Sequence, residues 1–274
     1  MTPAPHHGPS ASSGRRSTAT TGVVLVGVVF AVALLADVVA PGDPFTTSND
    51  VLQAPSWRHP LGSDDFGKDI WRSIAHGART SLLVALVATA GAVGIGVGIG
   101  GLAGYRGGLV DDLLMRVTEV FQVVPRFFLV VTAVALFGSG LGLLTAIIAF
   151  TSWSSTARLV RSQVMGLLAH DHVLAARALG GRPLRILVRH VLPLALPTLA
   201  AQAAFQASGA ILLEASVSFL GLGDPSVMTW GAILHDAHHF LRVAWWIAVF
   251  PGLALTLAVL GLHLLADAAA SREY

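Results

Sequence analysis

The amino-acid sequence predicts an all-α membrane protein with six transmembrane helices and both termini in the cytoplasm. Of its 274 residues, 54% are hydrophobic and only 12% are charged, and the mean hydropathy is +0.72. Ordinary soluble domains carry about twice that share of charged residues. Several apolar stretches are long enough to cross a hydrocarbon core of about 30 Å, and they leave no room for a separate catalytic domain.

The chain divides into three predicted regions. Residues 1–21 are rich in Pro, Ser, Gly and Thr without apolar periodicity, which predicts a disordered cytoplasmic tail. Residues 22–80 hold the first membrane helix and an extracytoplasmic elbow, and residues 81–270 form a membrane core with a cytoplasmic loop at about 165–195. Membrane helices are predicted at 22–40, 81–103, 117–137, 141–157, 197–220 and 243–266.

The basic residues support this orientation, because short cytoplasmic loops carry an excess of lysine and arginine. The predicted inner segments hold eleven basic residues and the predicted outer segments hold five. Arg126 lies within the third predicted span, where it is expected to face the bundle interior or a wet cavity. The sequence pI of 9.7 therefore reflects cytoplasmic loops, and nucleic-acid binding is not expected.

The elbow contains the segment HPLGSDDFGKDIWRSIAHGARTSL at 59–82, a cluster of turn residues that leads into the second span. Its carboxylates Asp64, Asp65 and Asp69 are compatible with a cation site, but a capped and solvated helix start is favoured. No metal site is predicted here.

The second span contains GVGIGG at 96–101, which satisfies a dinucleotide-binding pattern only formally because no soluble strand and helix surround it. Glycines 91, 94, 98 and 101 instead predict close helix contact. The sequence has no phosphate-binding loop with its lysine, since the single lysine is Lys68 in the elbow. No cofactor is expected, and any ATP-driven work requires a nucleotide-binding partner chain.

Two carboxylates fall within predicted spans, where ionisable groups are costly. Glu119 follows Arg116 by three residues, which predicts a structural ion pair near the inner interface. Glu214 has no arginine within one turn, so a helix-packing hydrogen bond and a pore-lining role both remain open. If the second holds, Glu214 and Ser218 are candidates for a translocation path.

Three histidines, His235, His238 and His239, lie in the last outer loop at a spacing that can bind a divalent metal. An interfacial or loop position is favoured over a metal site. His263 and Asp267, four residues apart near the inner end of the last span, are the nearest approach to catalytic residues.

The most informative segment is the cytoplasmic loop, because six arginines interrupt the apolar chain between Arg158 and Arg189. Apolar residues recur at helical spacing up to Gly180 and Gly181, which are predicted to end a short helix. Pro183 then predicts the first turn of a second helix. Two short helices joined by Gly-Gly form a coupling knob that fits the groove of a partner protein, with an anionic-lipid anchor as the alternative.

This loop resembles the coupling segment of ABC importer permeases, whose signature is Glu-Ala-Ala, three residues and then Gly. The matching residues are Leu174, Ala175, Ala176 and Gly180, so leucine replaces the signature glutamate. The elbow segment, GYRGGLVDDLLMRVTEVFQVVP, WSSTARLVRSQV, ILLEASVSFLGLG and FPGLALTLAVLGLHLLAD extend the resemblance to the second permease of dipeptide, oligopeptide and nickel importers.

The resemblance implies the type I permease fold and a multi-pass protein of a prokaryotic cell membrane. It implies a heterodimer with a sister permease, two cytoplasmic ATPases that contact Leu174, Ala175, Ala176, Gly180, Gly181 and Arg185, and an extracytoplasmic substrate-binding protein. Peptides are the favoured substrate and nickel or a metal chelate is the alternative. An intramembrane hydrolase and a passive channel are two further readings from other classes.

Overall fold

A computed structural model describes residues 11–270, with side chains from residue 18 onward. The long apolar helices are α1 (Ala11–Leu34), α3 (Ile70–Arg106), α6 (Leu141–Leu167), α9 (Leu196–Val217) and α11 (Trp246–Ala270). The shorter ones are α2 (Ala36–Val39), α4 (Gly108–Val123), α5 (Arg126–Phe137), α7 (Asp171–Ala178), α8 (Pro183–Ile186) and α10 (Trp230–Ala237). Irregular helical turns at Leu187–Val191 and Leu192–Ala195 join α8 to α9, and another at Ser218–Leu222 follows α9.

Helix α1 begins inside the predicted disordered tail. Residues 11–21 belong to α1, and the last proline before them is Pro9, so no proline interrupts the run into the apolar span. Residues 1–10 lie outside the described residues. Helix α1 packs along α11, where the backbones approach closely at Gly22 and Gly261.

The tightest helix pair is α3 with α6, and glycines make it possible. A Cβ atom on Gly96, Gly100 or Gly104 would collide with the backbone of α6. Gly94 and Gly98 face open space instead, although Gly91 touches Ala149. The sequence therefore identified the right helix for close packing but largely the wrong glycines, because a partner contacts only one face of a helix.

The predicted third span at 117–137 is broken. Helices α4 and α5 meet at an angle of 79°. Pro125 removes a backbone donor and forces Val124 into an extended conformation, with ψ of 125°, which ends α4. Arg126 consequently opens α5 instead of lying in the middle of a span.

Four helical segments in the described residues are long and apolar enough to cross a membrane, or five when the bent pair α4 and α5 counts as one. These four are Ile70–Arg106, Leu141–Leu167, Pro183–Leu222 and Trp246–Ala270. The apolar part of α1, Thr18–Leu34, is shorter. The described chain is thus an all-α bundle of membrane helices.

Two hydrophobic clusters organise the bundle. The larger one joins the first part of α3 to α9, α10 and α11 through residues such as Ile74, Ile211, Trp230 and Ile247. The smaller one packs the inner end of α6 against the loop that contains α7 and α8. The smaller cluster positions the candidate functional site.

Candidate functional site

The coupling knob, residues 172–190, has the predicted helix–Gly-Gly–helix form. Helix α7 ends in a Schellman motif, in which Gly181 N–H donates to Ala176 C=O at 3.0 Å and Gly180 N–H donates to Arg177 C=O at 2.9 Å. Gly180 has a φ of +75°, a conformation that residues with a Cβ rarely adopt. Pro183 opens α8, as the sequence predicts.

The knob is anchored to the bundle by its apolar inner side. Val173 and Ile186 are fully buried against Val160, Val164 and Val191. The guanidinium of Arg177 lies 5.2 Å from the ring centre of Tyr105, at the inner end of α3. The knob is therefore packed against α3, α6 and the start of α9.

The opposite side of the knob presents apolar side chains that nothing in the described chain covers. Leu179 is 89% exposed, Leu184 is 72% exposed and Leu174 is 48% exposed. Ala175 and Arg185 are exposed too, whereas Ala176 and Gly181 are half-buried. Because these leucines lie outside the long membrane helices, this side of the knob has the character of a surface that binds a partner protein or lipid.

Glu214 lies at the centre of a sealed polar cluster. The carboxylate is fully buried and accepts hydrogen bonds from the hydroxyls of Ser81 at 3.1 Å and Ser218 at 2.7 Å. Trp230, on α10, donates its backbone N–H to the same Ser81 hydroxyl at 3.4 Å. Within this chain both side chains, Glu214 and Ser218, face protein rather than an open cavity.

Arg116 and Glu119 do not form the predicted ion pair in the structure. Both side chains are exposed, and the salt bridges among the described residues do not include them. The ion pair of this region is Asp111 with Arg161, in which the guanidinium donates to both carboxylate oxygens. Proximity along one helix predicted the Arg116–Glu119 pair. The pair that forms instead joins Asp111, about one turn from the start of α4, to Arg161 on α6.

The three outer histidines do not converge on a metal. His235 bonds through Nδ1 to the Phe219 carbonyl at 2.7 Å, and the rings of His238 and His239 stack with centroids 3.6 Å apart. No group of three ligands that could hold a metal ion occurs among residues 11–270. His263 bonds to the Val259 carbonyl at 2.9 Å rather than to Asp267.

The elbow carboxylates act as caps. Asp69 accepts from Arg72 N–H at 2.9 Å and so begins α3, and Asp64 accepts from the backbone of Phe66 at 2.9 Å and Lys68 at 2.7 Å. The prediction of a helix cap is therefore right for Asp69, but its side chain is only 13% exposed rather than solvated. Asp64 closes a local turn.

The sequence did not reveal the centre of the elbow, which is His59. Its Nδ1 lies 2.8 Å from Asp69 Oδ2, and its Nε2 lies 3.2 Å from Asp50 Oδ2. The hydrogen bond to Asp69 is the main cause that raises the pKa of the His59 imidazole, against the opposing effect of burial. Asp50 and Asp69 lie nine and ten positions from His59 in the sequence, so only the folded path of the elbow brings the three side chains together.

The fold and the knob together define a membrane subunit of a transporter, and the family match agrees. The family described as "Binding-protein-dependent transport system inner membrane component" matches residues 96–272. This chain belongs to that family. It is a multi-pass protein of the cell membrane and a transport subunit rather than an enzyme, so that ATP hydrolysis resides in separate subunits.

Curated relatives narrow the class. The chain is 34% identical over 255 residues to the "Dipeptide transport system permease protein DppC" of Alkalihalophilus pseudofirmus, covering 92% of this chain and 84% of the relative. It is 36% identical over 261 residues to the protein of the same description from Escherichia coli K12, with 92% and 87% covered. A "Di/tripeptide transport system permease protein DppC" of Pseudomonas aeruginosa is 36% identical, with 90% and 84% covered.

A solved structure described as an inward-facing conformation of the MetNI methionine ABC transporter is similar in fold. The TM-score is 0.55 at 21% identity, and the alignment covers 71% of this chain and 93% of that chain. The similarity confirms the ABC importer permease fold that the sequence resemblance implies.

Proposed function

We propose that this chain is one of two permease subunits of an ATP-driven importer of dipeptides and short oligopeptides. The observation that carries the substrate class is its similarity, over about nine-tenths of its length, to relatives described as dipeptide permeases. A sister permease would supply the other half of the path, two ATPases would bind the knob, and an extracytoplasmic binding protein would deliver the peptide.

The proposed topology has six crossings with both termini in the cytoplasm. Four long helical segments, the bent pair α4–α5 and the shorter apolar part of α1 add up to that number. In this arrangement residues 1–21 are cytoplasmic and residues 22–80 comprise the first crossing and the outer elbow. Residues 81–270 form the permease core, with the knob on the cytoplasmic side.

The proposed mechanism is alternating access driven through the knob. ATP closes the ATPase dimer, and the exposed leucines with Ala175, Ala176 and Arg185 are carried with it. Because Val173 and Ile186 are buried in the bundle, the knob cannot move without the inner ends of α6 and α9. The two permeases then rock against each other and the path opens to one side at a time.

Nickel transport is not favoured. The most similar relatives are described by peptide substrates, and the three outer histidines make contacts with carbonyls and with each other.

Reconstituted uptake tests the proposal directly. The complete importer in proteoliposomes, with its binding protein and ATP, should accumulate a labelled dipeptide and not ⁶³Ni²⁺. Accumulation of nickel without dipeptide uptake would show that the substrate is nickel rather than a peptide. Uptake that continues without ATP, or conductance by this chain alone, would favour a passive channel.

A further inference from the structure

A polar pocket lies between α4 and α6, on the side of the bundle where the knob is attached. It is open and has a volume of about 390 Å³. Two other grooves of the described bundle, one between α3 and α6 and one among α4, α5 and α6, are lined mainly by apolar side chains. The polar pocket, called the inner charge pocket, is lined by Asp112, Met115, Arg116, Glu119, Arg158 and Arg161.

One wall of the pocket is already neutralised. Both oxygens of the Asp111 carboxylate accept from the guanidinium of Arg161, and the Asp111 side chain is buried. This bidentate pair ties α4 to α6 and fixes the width of the pocket. Arg161 therefore holds α4 to α6, and its charge is already paired with Asp111 rather than available to a ligand.

Four other charged side chains of the pocket are exposed and form no salt bridge within the described chain: Asp112, Arg116, Glu119 and Arg158. Arg116 and Glu119 are one turn apart on α4, yet they form no salt bridge. Unpaired charges on membrane helices do not face lipid, because their desolvation is too costly. The pocket consequently faces water or a polar ligand.

The arrangement of charge distinguishes between two kinds of ligand. An anionic lipid headgroup would meet Arg116 and Arg158, but it would be repelled by Asp112 and Glu119. With Arg161 neutralised, the two free arginines are balanced by two carboxylates. A pocket of zero net charge with separated positive and negative groups instead complements a zwitterion.

We propose that the inner charge pocket binds the charged ends of a peptide on its way to the cytoplasm, with Arg116 and Arg158 at the carboxylate and Glu119 at the ammonium group. The proposal rests on the proposed peptide importer and deepens it. Recognition of the two ends would be independent of the side chains between them, and the volume is within the range of small-ligand pockets.

Because the chain contains no cysteine, a single introduced thiol can report on the pocket. Met115→Cys places the thiol on the lining without removing a proposed binding group. In the complete importer, nucleotide-free and in detergent, a free dipeptide at millimolar concentration should slow labelling of this chain by a thiol reagent about threefold or more, as expected for a mostly occupied site. The N-acetylated, C-amidated form of the same dipeptide should give no protection.

Adding Arg158→Gln or Glu119→Gln to Met115→Cys should raise the dipeptide concentration that gives half-maximal protection about tenfold, the loss of affinity expected for one charged hydrogen bond. Arg106→Gln, at an exposed arginine outside the pocket, is the matched control and should leave protection unchanged. Equal protection by the capped dipeptide would overturn the proposal. So would protection by anionic lipid in place of peptide, which would assign the pocket to a headgroup.

An uptake assay distinguishes failure of the pocket proposal from failure of the proposed importer function on which it rests. If the wild-type importer accumulates dipeptide but the dipeptide does not slow labelling of Met115→Cys, the pocket proposal is wrong and the proposed importer function is unaffected. If the wild type accumulates no dipeptide, the proposed function itself fails.

Discussion

The outer elbow and the inner coupling knob are both segments outside the long helices, but they satisfy their own groups to very different extents. In the elbow, His59, Asp50, Asp69 and Asp64 use one another and the local backbone, and Trp246 Nε1 donates to the Ser63 carbonyl at 3.2 Å. In the knob, Val173 and Ile186 are buried, while the leucines at 174, 179 and 184 contact nothing that hides them from solvent.

This difference indicates that the elbow and the knob have different roles. A segment whose polar groups are paired internally holds its shape without a partner, so the elbow serves as a fixed cap on α3 and α11. A segment that leaves its apolar groups uncovered depends on another molecule to cover them. The elbow also exposes Trp57 and Phe66, so the contrast lies in the polar groups that the elbow pairs internally. In the knob, we expect a second protein to cover the leucines.

Leu179→Asp should cause the largest loss of function, because it disrupts the proposed contact between the knob and the ATPase subunits. Burial of a leucine side chain against a partner contributes about 1.5–3 kcal/mol, so the affinity for the ATPase subunits should fall by about tenfold or more. Co-purification at graded ATPase concentrations and peptide uptake measure the loss. The control is Trp57→Asp, a fully exposed apolar residue of the elbow, which should leave ATPase binding unchanged. An unaffected Leu179→Asp importer would show that the knob does not touch its partner there.

Gly180→Val should uncouple the knob without removing it. The φ of +75° costs a β-branched residue about 1–2 kcal/mol, which should loosen the turn and reduce uptake per ATP hydrolysed about fivefold or more. Gly98→Val is matched, because Gly98 also has open space around its Cβ position but lies within regular helix α3. Equal ratios of uptake to ATP hydrolysis in both variants would remove Gly180 from the coupling mechanism.

His59→Ala should destabilise the elbow and spare the knob. The change leaves the largely buried Asp69 carboxylate without its imidazole partner and should cost about 2–3 kcal/mol of unfolding free energy. Hydrogen exchange of the elbow amides and thermal unfolding measure this loss. Arg58→Ala, at the exposed neighbour, provides the comparison, and ATPase binding should be the same in both variants.

The elbow should also respond to pH, through His59. Since the pKa of His59 is higher in the folded chain than in an unfolded one, its contribution to stability is complete below about pH 6.5 and is lost as the pH rises through the raised pKa. Elbow amide protection, corrected for the intrinsic exchange rate, should fall as the pH rises above about 6.5. In His59→Gln the slope should disappear. A slope that persists would assign the titration to another group.

Leu174→Glu should have the smallest effect. It restores the glutamate of the coupling signature at a half-exposed position, where a surface ion pair contributes about 1 kcal/mol at most. ATPase affinity should rise no more than about fivefold, a gain that high salt should remove. A larger gain would mean that the partner encloses this position more deeply than it does Leu179.

Local signals in the sequence predicted much of the knob and some of the elbow. Gly180, Gly181 and Pro183 carry conformational preferences that hold in any surroundings, so the end of α7 and the start of α8 were predictable. Asp69 as a helix cap was predictable for the same reason. Pro125, in contrast, was included in a predicted span. The average hydropathy of the segment is high enough for a membrane helix and does not register the break that a proline causes.

Pairings over long distances were not predictable. Ser81 and Glu214 are 133 residues apart in the chain, and Arg161 and Asp111 are 50 apart. Each polar group on a helix has several possible partners, and the sequence alone favours the near ones, which is why Arg116–Glu119 was predicted instead. The choice among the glycines of α3 failed similarly, since all of them are small and only one face meets α6.

By itself, the sequence determined that this chain lies in a membrane, that its basic loop forms a helix–Gly-Gly–helix knob, and that ATP must be bound elsewhere. Those features depend on composition and on backbone preferences within a few residues. Only the tertiary structure decided that Glu214 is sealed, that His59 closes the elbow and that Arg116, Glu119 and Arg158 share an open pocket. The reason is physical: solvation and partnership of a charged group depend on which helix faces it, and helix faces are chosen by packing across the whole bundle.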